Sequence, residues 1–128
     1  LRARYLDATT RLAYCGQDFR VYRSMRIGDA TRFYAALHAT WDAAQLEADL
    51  DLAGLAPEFE VKRMKRAYQR ALVLALSCAA QPDTLVVEYG DEFDEAPAAA
   101  LLQRAVERVP HAIVTYRGEP GAHAAWYR

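Results

Sequence analysis

The sequence predicts an α/β fold in which a partial parallel sheet is flanked by helices. Two stretches carry that expectation. Ala71–Ala80 (ALVLALSCAA) is apolar on every side, the pattern of a buried helix rather than an amphipathic one. After a Gln81-Pro82-Asp83 turn, Thr84-Leu85-Val86-Val87 reads as a β-branched strand without alternation, which predicts burial on both faces. An acidic loop (Glu88, Asp91, Glu92, Asp94) follows the strand, and the ligands of open α/β sheets sit at that end of their strands. A basic run (Lys62, Arg63, Lys65, Arg66, Arg70) leads into the helix.

The remaining elements fall into place around this stretch. Leu1 to Ala8 reads as a short, partly helical lead-in. Arg11 to Cys15 reads as a strand ended by the turn signal Gly16-Gln17-Asp18, and the chain then runs irregularly, rich in Arg and Tyr, to Ile27. Asp29 is a good N-cap for a helix with Ala30, Phe33, Tyr34 and Leu37 at helical spacing. Thr40 or Asp42 starts a second helix, with Leu46, Leu50 and Ala53 on one face and Gly54 as its stop. Pro57 is expected to open the long helix, since proline suits a first turn. Pro97 falls in the first turn of another helix carrying Leu101, Leu102, Ala105, Val106 and Val109, and His111 to Tyr116 reads as a further buried strand. The tail from Gly118 is ambiguous, with Glu119-Pro120 able to begin a helix.

Composition sets the outer bounds. The 128 residues make one domain's worth of chain, enough for a real core. A net charge near −1 exerts no global pull on nucleic acid or membrane, so neither nucleic-acid binding nor direct membrane insertion is expected. The longest apolar run is too short to span a bilayer, and no stretch has the pattern of a signal peptide. Cys15 and Cys78 stand far apart without metal spacing and read as reduced thiols of a cytoplasmic protein. The chain opens on Leu1 rather than Met, which fits a piece of a longer polypeptide.

This order of features resembles the ATP-binding cassette (ABC) ATPases of transporters over nearly the whole chain. In that family a signature loop opens a buried Ala/Leu-rich helix, and a turn with Pro leads to the Walker B strand. That strand ends in Asp and the catalytic Glu, and a D-loop ending in Asp follows. Here Met64-Lys65-Arg66-Ala67-Tyr68 falls at the signature, Leu72 to Ala80 at the helix, Pro82 at the turn, and Leu85-Val86-Val87-Glu88 at Walker B. Asp94 falls at the D-loop and Gln17 on the glutamine of the Q-loop. Tyr22 to Leu37 resembles the stretch that opens the helical subdomain, and Asp42 to Leu55 the turns before the signature. Ile113 to Tyr116 resembles the H-loop strand, with Tyr116 where the histidine should be.

The resemblance implies a P-loop NTPase-like fold with a helical subdomain inserted between about residues 27 and 66. It also implies the departures. Nothing reads G-x-x-x-x-G-K-[ST], so the Walker A half that holds the phosphates would have to lie upstream or on a partner. Glu88 stands for the Walker B Asp, and Tyr89 for the catalytic Glu; a phenol, with an ordinary pKa of about 10, is a poor base for water. Lys65 and Arg66 replace small signature residues that let a backbone approach nucleotide closely.

The resemblance therefore implies a degenerate ATP-binding domain of an ABC transporter, unable to hydrolyse ATP as this chain alone. Gln17, Glu88, Asp94, Lys65 and Arg66 would be its nucleotide-facing residues, and ATP with Mg would bind only if a Walker A half is supplied. The implied partners are a membrane-embedded transporter subunit, docked through Gln17 and the Arg20–Ile27 stretch, and a second ATPase domain. A non-enzymatic interaction module that keeps the framework as scaffold is the alternative. Each site also has a plainer reading. Gln17 is then a turn residue, Glu88 a solvated carboxylate, and Tyr89 and Tyr116 packing residues. The basic run becomes a solvated helix face, and the acidic loop complements a helix dipole.

Overall fold

The computed structural model describes residues 11–16 and 24–116; Gln17, residues 20–23 of the expected docking stretch, the lead-in and the tail lie outside them. Among the described residues three strands form one parallel sheet, β1 (Leu12–Cys15), β2 (Thr84–Glu88) and β3 (His111–Thr115), in the order β1-β2-β3. The helices between them are α1 (Ile27–Leu37), α2 (Ala43–Ala53), α3 (Arg66–Ala79) and α4 (Ala98–Arg108). Parallel neighbours need crossovers, and the long excursion from β1 to β2 carries α1, α2 and α3.

The all-apolar stretch is the centre of the molecule. Every residue of α3 from Arg70 to Leu76 is buried, and the helix packs on β1, α2 and α4 at once. Its end is chemically set: Gln81 takes a left-handed φ of +57°, its N–H returns to the Cys78 carbonyl at 3.0 Å, and Pro82 follows. Its start differs from expectation. Pro57 does not open α3, whose N-cap is Lys65. The backbone around Pro57 is used elsewhere, because Gly28 N–H donates to the Pro57 carbonyl (2.8 Å) and Ile27 N–H to that of Phe59 (2.9 Å). Val61 N–H donates to Met25 (3.0 Å), and a single 3-10 turn, Val61–Arg63, bridges to Met64. The single N–H of Val61, given to Met25, cannot also close a helical turn onto Pro57.

The caps of the first two helices show the same local chemistry. Asp42 caps α2, accepting from Gln45 N–H at 3.0 Å, and Gly54 ends it at φ 71°, a left-handed conformation for which glycine carries no side-chain penalty. Asp29, expected as a cap, sits one turn inside α1 instead. Arg26 is the N-cap, and Asp29 accepts its N–H at 3.2 Å while pairing with Arg32 at 2.5 Å.

Among the described residues the two faces of the sheet are unequally buried, against the expectation of burial on both. Cys15, Leu85, Val87 and Val114 point to α3 and α4 and are buried, whereas Leu12, Tyr14 and Ile113 on the other face are about half exposed. Register lines up Tyr14, Val86 and Ile113 across the three strands as one apolar row. A strand with Val and Leu on both sides of its pleat is compatible with cover on either face; which face is covered depends on the elements that pack there.

One buried charge ties the helices together. Asp49 on α2 is 3 % exposed and accepts from Arg108 at 3.2 and 3.4 Å, with Arg104 at 3.2 Å, both from α4. Replacing Asp49 by Ala removes the acceptor of two guanidinium groups that are themselves partly exposed. The expected loss is therefore about 2–3 kcal/mol, below the usual figure for a fully buried pair. Urea denaturation of Asp49→Ala against the parent checks it.

Candidate functional site at the carboxyl end of the sheet

The strands end together, and the chemistry collects there. Arg70, one turn into α3, lies on the helix face shared with Ala67, Ala71 and Leu74, so the helical period carries it into the core. Its guanidinium is 3 % exposed. It donates to the Gly16 carbonyl beyond β1 and to the Glu88 carbonyl at the end of β2, and stacks over the Phe93 ring at 4.6 Å. Its Nε lies 3.1 Å from Glu92 Oε1, but the N–H is not aimed along that line, so the contact is an ion pair rather than a hydrogen bond. Arg66, mostly exposed, reaches the same Glu92 oxygen at 3.6 Å.

The acidic loop is organised by these contacts. Asp91–Asp94 forms a 3-10 turn with Phe93 fully buried. Glu92 faces the two arginines, and Asp94 accepts from the Tyr89 phenol. Side-chain partners hold Glu92 and Asp94, and the first turn of α4 itself carries no acid. The solvated-face reading of the basic run holds for the exposed Lys62, Arg63, Lys65 and Arg66 and fails for Arg70.

Four residues expected at the site come together. Glu88 ends β2, half-buried, and accepts from the Tyr14 phenol at 2.5 Å, so it is not simply a solvated carboxylate. Tyr89 follows it, donating its backbone N–H to Thr115 at 2.8 Å and stacking on Tyr116 with ring centroids 4.7 Å apart. The Tyr14 ring crosses Gly16 so closely that a Cβ there would fall 2.5 Å from Tyr14 Cε2, so a side chain at position 16 would push the phenol off Glu88. Lys65 stands exposed at the N-cap of α3, and Gln17 lies outside the described residues.

The electrostatics are those of proton-holding groups. Burial first, and then the bond to Asp94, push the Tyr89 phenol above its ordinary value of 10.0. It is a donor at neutral pH and not a base. Burial pushes the thiols up as well, Cys15 to about 11 and Cys78 to about 12. Among the described residues no three His, Cys, Asp or Glu side chains are arranged to hold a metal ion.

Besides Gln17, Lys65 and Arg66, sequence reasoning singled out Glu88, Tyr89, Asp94 and Tyr116; it named Arg70 and Glu92 only as members of a basic and an acidic run, and Tyr14 only as a strand residue. Arg70 had a signal: a basic residue at core spacing inside an otherwise apolar stripe calls for a buried partner, and Glu92 is the acid that supplies it.

No protein-family model and no curated protein matches the chain. Solved structures do. One, described as a cobalt transport ATP-binding protein (cbiO-2), superimposes with a TM-score of 0.65 at 14 % identity, over 86 % of this chain and 44 % of its own. The ATP-binding subunit of an ABC transporter gives 0.65 at 13 % identity, over 83 % and 48 %. The protein cbiO1 from Clostridium perfringens, part of the ABC transporter complex cbiONQ, gives 0.64 at 8 % identity, over 91 % and 50 %. At such identities the likeness shows the fold: P-loop NTPase-like, of the ABC ATPase kind, with a small parallel sheet flanked by helices. The chain spans about half the length of the structures it matches.

A pH dependence follows from the thiols. Unfolded, they lose their protons near 9.0; folded, they hold them to about 11 and 12. The unfolded state then binds fewer protons, so stability is intact below pH 9 and falls as pH rises towards 11, by up to about 1.4 kcal/mol per pH unit for each thiol. Tyr89 adds a loss of the same sign above pH 10. Denaturant titrations at pH 8, 9 and 10 measure the slope, and a Cys15→Ala, Cys78→Ala chain should lose most of it between pH 8 and 9.5.

Proposed function

We propose that this chain belongs to the ATP-binding component of an ABC transporter and that its own half of the site is degenerate, so that it does not hydrolyse ATP alone. One observation carries the second part. The group following β2 is a phenol, protonated on Asp94 and stacked on Tyr116, where hydrolysis needs a base for water. A missing general base lowers turnover about 10²–10⁴-fold. The fold, shared with ATP-binding subunits at TM-scores of 0.64 and 0.65, supports the transporter context.

In this reading the rest of the fold, with its phosphate loop, comes from another stretch of polypeptide in the same chain or on a partner. Two features support it: β3 has no second strand neighbour among the described residues, and the Leu12, Tyr14 and Ile113 side of the sheet is half exposed. Lys65 and Arg66 at the start of α3 would then face phosphate, where a helix N-terminus and cations both favour anions, and Glu88 and Asp94 would face magnesium-bound water. Gln17 joins them as the Q-loop residue. The domain would sit at the cytoplasmic side of a membrane subunit, docked through Gln17 and residues 20–27, beside a second ATPase domain; no helix of the described residues is long and apolar enough to cross a membrane.

A second reading, a scaffold without nucleotide, is favoured by the phenols that already occupy Glu88 and Asp94. Mg-ATP separates the two. In the polypeptide or complex that carries a phosphate loop, Mg-ATP at a hundred times its Kd should stabilise the domain by about 2.7 kcal/mol, read as a rise in Tm, with turnover near background. Tyr89→Glu should then raise turnover at least tenfold. No rise in Tm in that assembly leaves the scaffold, and rapid turnover by the parent overturns the degeneracy.

A further inference from the structure

We infer that Arg70 is a positioning residue that locks the acidic turn onto the ends of β1 and β2, so that the Tyr89–Asp94 contact is kept or released together with it. The inference stands on contacts alone and holds whether or not nucleotide binds.

The guanidinium has two kinds of partner. Gly16 and Glu88 offer backbone carbonyls at the ends of two adjacent strands. Glu92 and Phe93 offer a carboxylate and a ring from the turn itself, each only four residues beyond Glu88 and Tyr89 respectively. Asp94 is the next residue after Phe93, and it holds the Tyr89 phenol. The turn is tied to the sheet through Arg70 and closed on itself through Tyr89, with Phe93 wedged beneath and in contact with both, 5.8 Å from the Tyr89 ring. A rigid planar fork is required for this. A lysine keeps the charge but cannot reach two carbonyls and lie flat on a ring.

The consequence is mechanical. When the Gly16 carbonyl moves, the fork must turn, and Glu92 and Phe93 turn with it. Asp94 then leaves Tyr89, and the carboxyl end of β2 opens. Among the described residues, the end of β1 at Gly16 and the acidic turn both contact the Arg70 side chain.

Hydrogen exchange and tyrosinate absorbance test the link in the whole chain, using Arg70→Lys and Tyr89→Phe. The Tyr89→Phe chain identifies the late-titrating phenol by its loss. In Arg70→Lys, amides of Gly90 to Asp94 should exchange at least tenfold faster while those of α3 and β2 stay within twofold. The Tyr89 phenol should also rejoin the ordinary tyrosines in the alkaline titration. Exchange of the turn within twofold of the parent, or a phenol that still titrates late, overturns the inference. If Arg70→Lys does not fold, Glu92→Gln decides: it leaves both carbonyl contacts in place and weakens the tie to the turn. Faster exchange confined to residues 90–94 with an earlier phenol supports the inference, and an unchanged turn and phenol overturn it.

Discussion

A guanidinium buried to 3 % exposure is the constraint on which the rest of this molecule depends. Arginine does not shed its proton in a protein interior, so the charge itself must be satisfied. The fold supplies carbonyls from the ends of β1 and β2, a carboxylate from Glu92 and the face of Phe93. These partners come from segments far apart in the chain. Their convergence requires that β1 and β2 lie side by side, that α3 cross beneath them, and that the acidic loop fold back as a tight turn.

The second buried charge ties helix to helix rather than helix to strand ends. Asp49 joins α2 to α4 through two arginines, while the start of α2 is tied to the end of α3 by Asp42 N–H on the Ala79 carbonyl and Thr40 on that of Ala80. Apolar packing around α3 supplies the bulk of the burial. The two charged knots set which surfaces meet, since a displaced arginine or aspartate would stand unpaired at high cost. The result is a core on one side of the sheet and an apolar row, Tyr14, Val86 and Ile113, on the other.

Fold and chemistry point in different directions here, and the difference is informative. The backbone superimposes on about half of each of several ABC ATP-binding subunits, whereas the side chains at the strand ends form phenol–carboxylate pairs and a tyrosine stack. A fold carries a site without dictating its activity. The carboxyl end of this sheet holds protons and closes on itself, which suits binding and positioning better than proton abstraction.

Much of the fold was legible in local chemistry. The all-apolar run of α3, the Asp42 and Gly54 caps of α2, and the Pro82 turn each follow from side chains acting within a few residues of themselves, and the structure keeps them. Asp29 and Pro57 misled because their local preferences were outbid by backbone pairing between residues 25–28 and 57–61, a contact across some thirty positions that no local pattern records. Of the site, the row Glu88, Tyr89, Asp94 and Tyr116 was legible as residues at strand ends. Their pairing was not, because Tyr14 meets Glu88 and Tyr89 stacks on Tyr116 only once the strands are in register, and Tyr89 reaches Asp94 only once the acidic turn is folded. What the sequence by itself determined is the set of helices and strands and the sheet end at which polar groups gather, since periodicity and turn chemistry are local. The tertiary structure alone decided that Arg70 would be buried, that one face of the sheet would be half exposed, and that Tyr89 would close on Asp94. Charge burial and face cover depend on what arrives from elsewhere in the chain.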